Sequence, residues 1–170
     1  HATAPSIDQA STYVSQADED LTIRKVAVLP VADNVEGIYA RPVEAQITQL
    51  VKSSHRWDFV EAGIAGSMPP MIELEENPTQ VQQATRSIEA DAFIGASIAK
   101  GPNGLSIRLN LFLKKDGKVL SQEILRNHAR HELPEIRDQV TQLFTRMIAR
   151  IPYDGLVLSR QQNRVTVNLG

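Results

Sequence analysis

Apolar residues near the start of the chain follow first the spacing of a strand and then that of a helix. Residues 26–29 are continuously apolar, which predicts a strand within 23–31 that is buried on both faces. Residues 39–53 carry apolar side chains at positions i, i+4, i+7 and i+8, so one face of a helix should lie on the core. A buried strand followed by an amphipathic helix is therefore expected.

A second strand and a second helix are predicted after residue 56. Residues 57–61 contain Trp57, Phe59 and Val60 and are typical of a short strand. Apolar residues on one face predict a helix over 79–90, with Asn77 at its N-cap and Pro78 in its first turn, where the missing N–H costs little. An irregular segment rich in Gly, Pro and Met, residues 63–70, lies between them.

The middle of the chain has the pattern of an antiparallel meander. Strands are predicted at 92–99, 105–114 and 119–127, and Asp-Gly at 116–117 is a strong signal for the second hairpin. Within 105–114 apolar and polar residues alternate, with Phe112 as the exception. Because side chains of a strand alternate between faces, one face of this strand should be buried and the other wet.

The longest amphipathic stripe predicts a helix over 133–151, with prolines in its first turn and directly after its end. Residues 23–151 should then form one domain of the α/β (α+β) class, with a mixed sheet of about five strands packed by three helices. Residues 1–22 are expected to be a polar leader or a short helix, and residues 152–170 a β-hairpin.

Composition excludes several classes of function. The 18 basic and 20 acidic residues give a net charge of −2, which offers no electrostatic footprint for nucleic acid. The absence of cysteine excludes disulfides, thiolate catalysis and cysteine metal ligands. No apolar run reaches the roughly 18 residues that a membrane-spanning helix needs. A first residue that is not Met is consistent with a removed signal peptide, a trimmed chain or a lipoprotein that has lost its modified Cys.

Side chains capable of catalysis or metal binding are present but scattered. The histidines have no carboxylate placed to complete a metal or catalytic site, and they are expected to be solvent-exposed; they are His1, His55, His128 and His131. The acidic cluster Glu73, Glu75 and Glu76 is expected to be a solvated lead-in to a helix. Phosphate-binding, serine-hydrolase and zinc-protease motifs do not occur in the sequence. No catalytic residue, metal or cofactor is expected.

The apolar loop between the second strand and the second helix is the best candidate for a binding surface. Its apolar residues are not needed by any regular element; they are Ile64, Met68, Pro69, Pro70 and Met71. Methionine-rich segments suit adaptable binding surfaces. The alternative is that the loop folds back and covers the core.

Four motifs in order resemble a group of bacterial envelope domains. They are K-V-A-V-L-P-V at 25–31, R-W-D-F-V-E-A at 56–62, E-A-D-A-F-I-G-A-S-I at 89–98 and K-D-G-K-V-L-S at 115–121. The set resembles the domains of the TolB N-terminal, curli-secretion CsgG and penicillin-binding-protein-activator LpoB type. The resemblance implies a periplasmic protein, anchored at the outer membrane in some members, and brings no catalytic residues. The long membrane-spanning hairpins of a CsgG-type pore are missing from the sequence.

The C-terminal segment carries a second resemblance. Residues 152–157 followed by 163–170 look like the opening hairpin of the small β-barrel at the C-terminus of the flagellar assembly protein FlgT. This implies a role in flagellar or secretion assembly.

Together these observations favour a non-catalytic envelope adaptor or scaffold. Its partners would be other periplasmic or outer-membrane proteins. They would be contacted through the apolar loop at residues 64–71, here called the Met/Pro loop, or through an exposed edge of the meander. Membrane association would come only through an N-terminal anchor or through partners, nucleic acid is not expected, and an oligomer is possible. The alternatives are a sensor of a small molecule or peptidoglycan fragment, and a nucleic-acid-binding domain.

Overall fold

A mixed sheet of six strands runs through residues 22–151, which are the residues that the computed structural model describes. The strands are Lys25–Val28 (β1), Ala32–Asp33 (β2), Asp58–Val60 (β3), Ala92–Gly101 (β4), Gly104–Leu113 (β5) and Val119–His128 (β6). Four helices are described: Ala40–Ser54 (α1), Met71–Glu76 (α2), Pro78–Ala84 (α3) and Leu133–Ala149 (α4). The α/β class with a mixed sheet is therefore confirmed.

The strand β1 is central, as the apolar run predicts. The strands are ordered β3-β1-β4-β5-β6, and β1 is parallel to both of its neighbours. The two-residue β2 pairs with β4 further along, with Ala32 opposite Ser97, so β1 and β2 run beside the same strand. Because Pro30 has no N–H to donate, it interrupts the pairing between them. The strands β4, β5 and β6 form the predicted antiparallel meander.

The two long helices α1 and α4 cover one face of the sheet. Leu143 and Met147 lie at the middle of the buried stripe of α4, and Ile47 lies in that of α1. The Gln46 side-chain amide on α1 donates to the Arg137 carbonyl of α4 at 2.7 Å. The Ser121 hydroxyl of β6 donates to the Met147 carbonyl at 2.9 Å, which ties α4 to the meander.

The short helices α2 and α3 cover the opposite face. Their buried residues join a cluster with apolar residues of the sheet; its members are Ala27, Leu29, Met71, Leu74, Val81, Ile88, Ala90, Phe93 and Phe112. The helix α2 approaches β4 closely because Gly95 has no side chain. A Cβ at Gly95 would lie 2.7 Å from Met71 Cε.

The helix predicted over residues 79–90 is the predicted element whose bounds differ most from the structure. A separate helix, α2, occupies residues expected to be a solvated lead-in, and α3 ends at Ala84 instead of Ala90. The Lys114 ammonium accounts for the early end, since it donates to the carbonyls of Thr85 and Ile88 at 3.1 and 2.5 Å. A cation directly after β5 thus satisfies carbonyls that would otherwise need helical partners.

The prediction of one wet face on β5 is wrong over half of the strand. Asn110, predicted to be wet, is 0% exposed, and so is Phe112, the exception to the alternation on the same face. The alternation correctly separates the two faces, but α2 and α3 cover the second face as well. That cover comes from residues more than 25 positions earlier in the chain, so a local pattern does not reveal it.

Residues 24–151 form one compact unit. Within residues 22–151 no helix combines the length and the apolar character required to cross a membrane. The leader or helix expected before residue 22 and the hairpin expected at 152–170 lie outside the described residues.

The central position of Leu143 gives a test of the core. Leu143 is 0% exposed between α4 and the sheet, so Leu143→Ala should lower the free energy of unfolding by about 2–5 kcal/mol. The neighbouring Gln142 is exposed, and Gln142→Ala should change it by less than about 0.5 kcal/mol. Urea unfolding of both variants measures the difference. Equal effects would contradict the packing of α4.

Candidate docking surface

Residues 61–70 and α2 lie over the second face of the sheet and carry every side chain predicted to bind partners. Ile64 and Met68 are partly buried and pack against the cluster on that face. Pro69 is half-buried, and Pro70 is exposed at the N-cap of α2. Met71 is only 4% exposed, so it belongs to the core and contributes little surface. Part of the segment therefore covers the core and part of it faces outward.

A groove with a volume of about 480 Å³ runs beside this segment. The loop and α2 supply apolar lining, and β2 with its following turn, β4 and β5 supply the rest. Its lining residues are Ala32, Asp33, Asn34, Met68, Pro70, Met71, Ile72, Ser97, Ile98 and Arg108. Met68, Pro70 and Met71 of the predicted set thus meet at one groove, whereas Ile64 and Pro69 are outside its lining.

Ile72 is the exposed apolar residue of the groove. Its side chain is 53% exposed, and Ile38, which is outside the lining, is 66% exposed. Within residues 22–151 these two are the only exposed large hydrophobic residues. Ile72 is not among the residues that the sequence pattern predicts to bind partners. Met71 and Leu74, three residues apart, both face the core, which leaves Ile72 on the outer side of α2.

Asp33 holds the turn that forms one side of the groove. Its carboxylate accepts backbone N–H groups of Val35, Gly37, Tyr39 and Ala40 at 3.0, 2.7, 2.8 and 2.8 Å. Burial raises the pKa of Asp33, but these four hydrogen bonds outweigh it and hold the pKa below its ordinary value. The carboxylate is therefore engaged with the backbone that leads into α1.

Glu75 is the centre of a polar cluster on the same face of the sheet. Arg108 donates two hydrogen bonds to its carboxylate, at 3.0 and 2.6 Å, and the amide of Asn110 donates a third at 2.7 Å. Gln122 donates to the Asn110 side-chain oxygen at 2.7 Å. The expectation of a solvated Glu75 is wrong, because α2 lies against the polar residues of β5.

These contacts keep Glu75 ionised. Burial raises the pKa of Glu75, but the hydrogen bonds from Arg108 and Asn110 and the charge of Arg108 outweigh it and lower the pKa. A carboxylate with a lowered pKa is a poor general acid near neutral pH. The pair therefore stabilises the fold and orients the Arg108 side chain at the groove.

The histidines are separate from the groove. His128 at the end of β6 lies 2.8 Å from the Glu135 carboxylate, a contact that the sequence pattern does not predict. The hydrogen bond to His128 lowers the pKa of Glu135. His55 ends α1 in a left-handed conformation, and His1 lies outside the described residues. Within residues 22–151 no three His, Asp or Glu side chains gather into a possible metal site.

The outer edge of the meander is the second surface predicted for partners. In the sheet described, β6 is the last strand after β5. Arg150 donates to the Gln122 carbonyl of β6 at 2.8 Å and to the Glu123 carboxylate, and Arg146 donates to Glu123 at 3.2 Å. Side chains from the last turn and the C-cap of α4 thus already contact the middle of this strand, which makes the groove the better candidate.

Comparison with known proteins gives structural likenesses alone. Neither a family model nor a curated protein sequence matches the chain. Similar solved structures include TolB from Acinetobacter baumannii, with 12% identity over 76% of this chain and 29% of TolB and a TM-score of 0.48. The C-terminal domain of LpoB from Escherichia coli has 11% identity over 64% of this chain and 90% of the domain, with a TM-score of 0.44. A PelC dodecamer from Paraburkholderia phytofirmans has 15% identity over 75% of this chain and 87% of the PelC chain, with a TM-score of 0.43.

TolB and LpoB are also two of the proteins whose domains the sequence motifs resemble. This chain aligns with less than a third of the length of TolB. The resemblances to CsgG and FlgT stay predictions. Likenesses at this level describe the fold and carry no information on what the chain binds.

The lowered pKa of Glu75 gives a test of the polar cluster. Glu75→Gln should lower the free energy of unfolding at neutral pH by about 1–3 kcal/mol, because Arg108 loses its charged partner. A carboxylate whose pKa falls on folding stabilises the protein above its unfolded pKa, and this contribution disappears as the pH falls through the folded pKa. The wild type should therefore lose more stability than the variant from about pH 5 to about pH 3.

Urea unfolding across this range measures the difference between the two proteins. Glu76 is exposed beside Glu75, so Glu76→Gln is the matched control and should follow the wild type. Parallel curves for the wild type and Glu75→Gln would show that the cluster contributes nothing to acid sensitivity.

Proposed function

We propose that this chain is a non-catalytic protein-binding domain of the bacterial cell envelope and that its partner docks at the groove beside Ile72. The observation that carries the proposal is Ile72 itself, 53% exposed next to a mostly apolar lining. Complete burial of an exposed isoleucine side chain is worth about 1.5–3 kcal/mol. Because Ile72 is already about half buried, a partner that covers it would gain roughly half of that. Apolar surface with a polar rim is typical of a protein interface.

The polar groups around the groove favour a protein over a small molecule. A small-molecule site needs polar groups that converge on the ligand. The carboxylate of Asp33 is occupied by four backbone N–H groups, and two nitrogens of Arg108 are occupied by Glu75. Contacts to an apolar side chain of a partner need none of these groups. The sensor alternative therefore has less support at this site.

The envelope location rests on the four sequence motifs. They support a periplasmic or outer-membrane-associated protein whose partners are other envelope proteins. A role in flagellar or secretion assembly is the finer form of the proposal and rests on residues 152–170. Attachment to the membrane would come from an N-terminal anchor or from partners, and self-association through the groove is one form that docking could take.

Site-specific photocrosslinking tests the groove. A photoreactive residue replacing Ile72 in the full chain, expressed in the bacterial envelope, should give a discrete crosslinked product. The same residue replacing Gln142 is the control, because Gln142 is exposed on α4, which covers the opposite face of the sheet. Products from position 142 only, or none from either position, would contradict docking at the groove.

A charge substitution tests the energetics of the same contact. Ile72→Asp should weaken co-purification of the crosslinked partner at least about tenfold, because a carboxylate would have to be desolvated without a partner. Ile38→Asp is the matched control, since it also places a charge at an exposed isoleucine but lies outside the groove lining. Circular dichroism establishes that both variants are folded. Equal losses in the two variants would assign the effect to general surface charge.

A further inference from the structure

A second concave site lies at the opposite end of β4 from the groove. Its volume is about 540 Å³, and basic side chains dominate its lining. Arg24 and Lys25 come from the start of β1, Arg86 and Ser87 from the segment after α3, and Lys114 from the end of β5. Three separate segments of the chain thus bring cations to one cavity.

Asp91 holds the first of these segments in place. Its carboxylate accepts the backbone N–H groups of both Arg24 and Lys25 at 2.9 Å. The backbone N–H of Asp91 donates to the Lys25 carbonyl at 2.8 Å, and that of Lys114 donates to the Asp91 carbonyl at 2.9 Å. The Asp91 carboxylate therefore anchors the backbone of β1. Among the described residues it forms no ion pair with a basic side chain.

Lys114 holds the second segment. Its ammonium donates to the backbone carbonyls of Thr85, Arg86 and Ile88 at 3.1, 3.2 and 2.5 Å. The backbone at Arg86 and Ser87 is thereby tied to the end of β5. Both basic segments are positioned before any ligand arrives, which lowers the ordering cost of binding.

The cations of the lining outnumber its acids, with four basic residues against Glu89 and Asp91. Arg24, Lys25 and Arg86 are exposed, and none of them belongs to an ion pair of the described residues. Glu89 is the other acid in the lining and is also exposed. An excess of positive charge in one concave site favours an anionic ligand.

We propose that this basic cavity, defined by Arg24, Lys25, Arg86 and Ser87, binds a phosphate-bearing anion. Guanidinium groups pair with phosphate oxygens through two parallel hydrogen bonds, and the Ser87 hydroxyl adds a further donor. A soluble phosphate and the phosphate of a lipid headgroup share this chemistry. The site is independent of the groove, so its test and that of the docking surface fail separately.

Two probes distinguish the sources of the phosphate. Inorganic phosphate is titrated into the full isotope-labelled chain while the backbone amide signals of Arg24, Lys25, Arg86 and Ser87 are followed by NMR. Binding to vesicles of phosphatidylglycerol and phosphatidylcholine is compared with binding to vesicles of phosphatidylcholine alone. We expect saturable NMR shifts with phosphate, stronger binding to the anionic vesicles, or both. Binding to the anionic vesicles without phosphate shifts would identify a lipid headgroup as the ligand. Phosphate shifts without vesicle binding would identify a soluble ligand.

Variants establish which residues bind. Arg24→Gln combined with Arg86→Gln should weaken binding about tenfold or more, since charge-assisted hydrogen bonds are lost. Glu89→Gln should tighten it, because a repelling charge is removed. Arg137→Gln removes an equal charge from an exposed position on α4 outside this cavity and should leave binding unchanged. Absence of binding to both probes, or an equal loss with Arg137→Gln, overturns the proposal.

Discussion

Burial of both faces of β4 is the constraint on which the rest of the structure depends. Five consecutive residues of this strand, 92–96, are buried, so apolar cover is needed above and below the sheet. One face receives α1 and α4, with 15 and 17 residues. The other receives α2 and α3, with 6 and 7 residues. The two covers are therefore very unequal in length.

The short cover explains where the groove and the polar cluster lie. A helix of six residues is roughly 9 Å long, whereas a strand of ten residues extends for about 33 Å. The sheet face beyond α2 must then be polar or covered by something else. At the edge of this cover the β5 residues Arg108 and Asn110 are polar, and Glu75 near the end of α2 accepts hydrogen bonds from both of them. The groove with exposed Ile72 lies at this boundary between covered and uncovered sheet.

Long elements could be predicted from the sequence because their periodicity is repeated several times. The apolar stripe of α4 extends over nearly five turns, and the Asp-Gly turn sets the second hairpin of the meander. The helix α2 could not be predicted, since six residues show less than two turns of periodicity. The burial of Asn110 could not be predicted either, because alternation separates the faces of a strand but does not show which face another element covers.

The candidate site was predictable to the same extent. The unusual composition of the Met/Pro loop indicates the right region, and Met68 and Pro70 do line the groove. The assignment of Met71 and Ile72 depends on the phase of α2. Met71 and Leu74 point inward together, and a residue next to Met71 is turned by about 100° from it. Only recognition of α2 as a helix places Met71 in the core and Ile72 on the surface.

The groove would bind a partner mainly through apolar contacts and the basic cavity through charge, and the two sites lie at different positions along β4. The cavity is lined by Asp91, directly before β4, and the groove by Ser97 and Ile98. Six residues of a strand span about 20 Å, which is more than twice the roughly 8 Å over which charges are screened at physiological salt. A ligand at one site therefore exerts little direct electrostatic effect on the other. Because the same continuous strand carries both sites, an apolar contact and an anionic contact can form together, and added salt should weaken the second much more than the first.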